Sequence, residues 1–117
     1  MPQYMVWMYL PDNFDPASQS EATVEEIHAL NREMAAAGVR KFGCGLGATH
    51  TLRAQQNGEV LVTDGPYLET KEHIGGVSIL ETADLQEALA WARKGAKVLG
   101  VPIELREIFF MPAPAKD

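Results

Sequence analysis

The chain is poor in cysteine: Cys44 stands alone among 117 residues. One thiol excludes an intrachain disulfide and a zinc site built from several thiolates, and in a strand of small residues it is expected to fill space rather than attack a substrate. Basic residues are also scarce. Ten Lys and Arg against sixteen Asp and Glu leave a net charge of −6. A chain of that sign repels phosphate backbones unless it carries a local basic patch, and its basic residues are scattered, so no direct nucleic-acid partner is expected. Long apolar runs are missing too. None reaches the ~18 residues of a membrane span, so no membrane partner is expected. Met1-Pro2-Gln3 has neither a basic region nor a cleavage site, which makes a cytoplasmic location the expectation. Gly45 to Gly47 lacks the remainder of a dinucleotide fingerprint, and no cofactor is expected. With no linker and no internal repeat, residues 1–117 read as one domain with a single core.

Chemistry is concentrated in one stretch, Asp64-Gly65-Pro66-Tyr67-Leu68-Glu69-Thr70-Lys71-Glu72-His73-Ile74-Gly75-Gly76. It separates the apolar runs Val60-Leu61-Val62 and Val77-Ser78-Ile79-Leu80. Asp-Gly-Pro is a turn sequence: the aspartate can bond backbone two residues on, the glycine is free in its dihedrals, and the proline fixes its own. A strand therefore ends near Thr63, and the Gly75-Gly76 pair either relieves backbone strain or lets a backbone or a ligand approach just before the next strand.

Asp64-Gly65-Pro66-Tyr67 followed by Glu69-Thr70-Lys71-Glu72 and Gly75-Gly76 resembles the signature of the DGPF-type proteins of the YCII-related family. That signature is written Asp-Gly-Pro-Phe with Glu-Thr-Lys-Glu after it, so Tyr67 is a departure. An opening Tyr-Met-hydrophobic strand and a closing Glu104-Leu105-Arg106 strand extend the resemblance over nearly the whole chain. It implies a ferredoxin-like α+β fold that dimerises through its sheet, the dimeric α/β-barrel assembly, related to small lactone isomerases and monooxygenases. For the family itself, activity is largely unassigned, and association with sigma factors is implied for some members.

The residues lead to the same architecture by another route. Tyr4 to Leu10 is apolar at every position, so both faces of this strand need cover. Helices can supply one face. The chain has too few elements for the other, and a second copy packed sheet to sheet is the simplest cover. Pro11 to Pro16 reads as an irregular loop. Thr23 with Glu26 predicts a capping box for a helix running to Ala37, with Ile27, Leu30, Met34 and Ala37 inward, His28 off that stripe and Gly38 as the stop. Val39 to Leu46 is a glycine-rich strand, its glycines reading first as close packing and second as room for a ligand. His50 to Ala54 and Glu59 to Thr63 flank Asn57-Gly58 as a hairpin that delivers Asp64 to one end of the sheet. Val77 to Leu80 is a short strand. Asp84 with Glu87 caps a second helix with Leu85, Ala88, Leu89, Ala92 and Ala96 inward, fraying near Gly95. Ile103 to Ile108 closes the sheet with Ile103 and Leu105 inward, and residues 111–117 form a flexible tail. The sum is a ferredoxin-like βαββαβ fold with an inserted β-hairpin.

Asp64 at a strand end is the leading candidate for a general base, against an Asx-turn cap of equal weight. His73 is the second acid-base candidate, because its intrinsic pKa lies near neutrality. Lys71 would anchor an anion, and Glu69 or Glu72 would orient it. Their competing reading is a solvated, charged surface. Arg53 offers a further anion contact, and Tyr67 an aromatic wall. His28, His50 and His73 lack metal-ligand spacing, so no metal is expected. Two functions remain open. One is a homodimeric enzyme or binding protein for a small anionic ligand, working as a cofactor-independent isomerase, lyase or hydrolase, with its pocket between helices and sheet and bordered by the Asp64 to His73 loop. The other is a non-catalytic accessory protein that presents an apolar patch at Tyr67, Leu68 and Ile74 to a protein partner.

Overall fold

The computed structural model describes residues 1–114, and the apolar segment Gln3–Pro11, β1, lies inside its main sheet. A turn of 3-10 helix at Pro16–Ser18 precedes α1, Glu21–Ala36. There follow β2 (Arg40–Gly45), β3 (His50–Ala54), β4 (Val60–Asp64), β5 (Glu72–Glu81), α2 (Leu85–Leu99) and β6 (Ile103–Glu107). β1 pairs antiparallel with β5 and β6, and β5 pairs antiparallel with β2, giving the order β2-β5-β1-β6. Two helices with antiparallel strands in this order agree with a ferredoxin-like α+β fold. β3 and β4 form a separate two-stranded sheet, so the hairpin does not deliver Asp64 to the main sheet as expected. No helix among the described residues is long and apolar enough to cross a membrane. Residues 115–117 of the expected flexible tail lie outside the described residues.

Register decides which side chains meet. Directly opposed residues of an antiparallel pair point to one face. Tyr4 opposes Leu80, Val6 opposes Ser78 and Met8 opposes Gly76 on the helix-covered face; Met5 opposes Ile79 and Trp7 opposes Val77 on the other. On the covered face Val6, Leu80, Val39 and Met34 are buried, with Leu30, Trp91, Ile103 and Leu105 packed against them. The opposite face is only half covered. Met5, Trp7, Val77 and Ile79 are half-buried there, and Phe42, opposite Ile79, is exposed.

The helix ends differ from expectation in instructive ways. α1 is capped three residues before the expected Thr23: the Ser20 side chain accepts the Thr23 N–H at 3.1 Å, and Thr23 lies inside the first turn. Both residues can cap, but the earlier one adds helical hydrogen bonds at no packing cost. Ile27, Leu30 and Met34 do face inward, whereas Ala37, the C-cap, is exposed. Asp84 caps α2 as expected and accepts the Glu87 N–H at 2.9 Å, while Glu87 Oε2 accepts the Ala83 N–H. On α2, Ala88, Ala92 and Ala96 turn inward as expected, but Leu85 and Leu89 are exposed, and Trp91 and Val98 face the sheet in their stead. Ala88, wholly buried, lets the helix come close, and Trp91 then fills the core that two leucines were expected to fill. Nor does Gly95 end the helix. It continues to Leu99 and stops at Gly100, whose left-handed φ of 67° lets its N–H reach Ala96 O.

β5 is also longer than expected. It begins at Glu72 and includes Gly75 and Gly76. A Cβ at Gly75 would collide with Leu10, and one at Gly76 would crowd the Met8 methyl and the Cys44 carbonyl. The pair thus serves close side-chain and backbone packing within the sheet, beside the irregularity between Met8 and Tyr9.

Candidate functional site: a cavity between helices and sheet

Small residues on β2 and β5 leave space beneath the helices. Gly43 opposes Ser78, and Gly45 opposes Gly76, so adjacent positions on the covered face carry little or no side chain. A cavity of about 310 Å³ lies there, at the low end of the ~300–1,000 Å³ usual for ligand pockets. Leu30 and Met34 of α1, Trp91 and Val98 of α2, and Val6 and Ile103 of the sheet give it apolar walls. Asn31 and Ser78 contribute polar atoms. At Gly45 a Cβ would meet nothing within 4 Å, so this glycine opens space, whereas Gly43 is covered by a guanidinium.

That guanidinium belongs to Arg40, the one charged side chain in the lining among the described residues. It lies over Gly43, so close that a Cβ there would overlap it. Among the described residues Arg40 has no carboxylate partner. Arg40 was not singled out from the sequence. The register irregularity between Arg40 and Phe42, which decides which face Arg40 joins, leaves no mark in the residue pattern.

The Asp64 to His73 stretch borders a different surface, and none of its residues lines the cavity. Asp64 has an almost fully exposed side chain, with Oδ1 3.2 Å from His50 Nδ1. The bend is held by its neighbours. Gly65, at φ 100°, donates its N–H to Thr49 O at 2.8 Å, and Thr51 Oγ1 donates to Gly65 O at 2.7 Å. Arg53 lies 5.5 Å from the ring centroid of exposed Tyr67, a cation–π contact. Glu69, Lys71 and Glu72 are exposed, and the Thr70 hydroxyl donates to Glu72 O. His73 is drawn inward, its Nε2 2.6 Å from Asp12 Oδ1, with the ring side chain 29% exposed. Asp12 also donates its N–H to Lys71 O at 2.8 Å, which ties the loop after β1 to the start of β5. The structure therefore joins Arg53 to Tyr67, Asp64 to His50, and His73 to Asp12, but does not gather the candidates into one centre. Among the described residues no group of three or more His, Cys, Asp or Glu is arranged to hold a metal ion.

The family model described as the YCII-related domain matches residues 3–111, β1 through the segment after β6. The chain belongs to the YCII-related family. An uncharacterized protein of Rhizobium meliloti (strain 1021) is 36% identical to this YCII-related chain over 80 residues. That match takes in 64% of this chain and 62% of the relative, so it spans under two thirds of the relative's length. Family membership and fold thus agree, and the relative adds no activity.

Proposed function

We propose that this YCII-related protein, of the DGPF type by its Asp64 to Glu72 signature, is a cytoplasmic homodimer that binds a small anionic molecule between its helices and sheet. The observation that carries the reading is the apolar cavity with one guanidinium at its edge that has no carboxylate partner among the described residues. Dimerisation rests on the uncovered sheet face, where Met5, Trp7, Val77, Ile79 and Phe42 lie together. Packed sheet to sheet, two such faces would produce the dimeric α/β barrel. Binding is favoured over turnover within one chain. Acid-base catalysis needs a proton carrier within reach of the ligand, and among the described residues the lining contains no histidine or carboxylate. Asp64 and His73 would reach a bound molecule only from another surface.

An NMR screen of small carboxylates, keto acids and lactones tests the reading, since amide shifts report where a ligand sits. The expected result is a set of perturbed amides at Leu30, Met34, Gly45 and Trp91, lost in Gly45→Val, whose side chain would fill the open floor. Perturbations confined to residues 64–73, or none, would reject the cavity as the site.

A second reading has one observation in its favour. Tyr67, Leu68 and Ile74 are exposed by 69%, 66% and 46%, and the cavity does not lie behind them. An accessory protein would use such a patch against a protein partner, a sigma factor being the partner the family resemblance suggests. Perturbation of these three side chains by a sigma factor, without any response to small molecules, would favour this reading.

A further inference from the structure

Resting on the cavity reading above, we infer that Arg40 is the anchor that selects the ligand: a small apolar monocarboxylate whose carboxylate meets the guanidinium and whose hydrocarbon body lies against Leu30, Met34, Trp91 and Ile103. Three features of the site converge on this class. The guanidinium lines the cavity, has no carboxylate partner among the described residues, and presents a planar fork of donors that matches a carboxylate. The walls are hydrocarbon, so a ligand with several charges would leave all but one without a partner in an apolar space. The chain carries a net charge of −6, so its overall field repels anions and a local cation is needed to hold one.

Gly43 makes the arrangement possible. Any Cβ at this position would overlap Arg40 Nη2 and Cζ, so the missing side chain is what lets the guanidinium lie across β2. Asn31 on α1 and Ser78 on β5 are the other polar residues of the lining and can bond a carboxylate oxygen that Arg40 leaves free. The anchor is thus Arg40, itself exposed at the mouth of the cavity, and Lys71, which does not line the cavity, takes no part in it.

The test compares 3-phenylpropionate with its primary amide by titration calorimetry against wild type, Arg40→Met, Arg40→Lys and Gly45→Val. Wild type is expected to hold the carboxylate roughly ten- to hundredfold more tightly than the amide, the ratio a charge-assisted hydrogen bond supports. Arg40→Met should abolish that preference while leaving amide affinity within about twofold, and Arg40→Lys should restore part of it. Gly45→Val should weaken both ligands alike. Equal affinities for carboxylate and amide in wild type, with both weakened by Gly45→Val, would overturn the Arg40 anchor and leave the cavity reading standing. Binding of neither ligand, or binding insensitive to Gly45→Val, would overturn both. Circular dichroism of each variant separates lost affinity from lost fold.

Discussion

Glu81 illustrates how one side chain ties the edge of the sheet together. Gln3 Nε2 donates to its Oε2 at 2.8 Å, and Lys41 Nζ lies 3.8 Å from Oε1. The hydrogen bond from Gln3, with Lys41 adding to it, lowers the Glu81 carboxyl below its ordinary value, against the opposing effect of burial. A carboxylate lowered in the folded state contributes stability that is present above its unfolded value and is lost as pH falls through the folded one. Gln3→Leu should therefore lower stability at pH 7, and the difference from wild type should shrink as pH falls through the carboxylate range of Glu81. Urea unfolding at a series of pH values measures it. A difference that stays constant with pH would mean that Gln3 acts through packing alone. The candidate site divides at the same scale. The sequence offered His73 as an acid-base candidate without naming a partner, and the fold supplies Asp12, 61 positions away. It pointed to Lys71 for an anion, whereas the guanidinium beside apolar space is Arg40. Motif reading finds local crowding of charge. It does not find contacts made by strand pairing and a shift of register.

At the scale of elements, alternation and capping carried most of the fold. The uninterrupted apolar segment from Tyr4 to Leu10 predicted a strand needing cover on both faces; β1 lies inside the sheet with helices over one face, and the single chain leaves the other open. Asp84 and Glu87 predicted the start of α2 because capping is a local hydrogen-bond problem. The inward face of α2 was only partly legible: Ala88, Ala92 and Ala96 are inward as expected, but large Trp91 fits the sheet better than Leu85 and Leu89, and shape fit is a tertiary property. Gly95 was misread for a related reason. A glycine costs a helix about 1 kcal/mol relative to alanine, but packing across the whole element outweighs that. Here the missing side chain adjoins the cavity, and a Cβ would sit 3.4 Å from Ile103 Cδ1, at the edge of ordinary contact. Gly95→Ala should therefore stabilise the protein by about 0.5–1 kcal/mol and raise the melting temperature by a few degrees. Thermal denaturation followed by circular dichroism checks this, and a lower melting temperature would show that α2 has no room to accept the methyl group.

For the whole molecule the unresolved requirement is cover for surface that the chain cannot bury itself. The radius of gyration is 17.3 Å, against the ~13 Å of a compact chain of similar length, and the principal extents are 51 × 45 × 21 Å. The flatness fits a single layer of sheet with helices on one side only. The hairpin adds to the spread: every residue of β4 is exposed, Leu52 opposes Val62 with both more than half exposed, and an isolated two-stranded hairpin is marginal in water. A second copy laid against the uncovered face would bury Met5, Trp7, Val77, Ile79 and Phe42 and thicken the assembly. The assembly is therefore expected to sediment at twice the 12.8 kDa chain mass. Ile79 is the best position at which to disturb it, because the residue lies between Met5 and Phe42 on that face and away from the helices. Ile79→Lys places a charge in the centre of the contact, where desolvation opposes association, while the core around Val6, Met34 and Leu80 is untouched. Sedimentation equilibrium should show wild type as a dimer and Ile79→Lys as a folded monomer. A wild type that remains monomeric at high concentration would leave the face to another partner, and a variant that stays dimeric would move the interface to the hairpin.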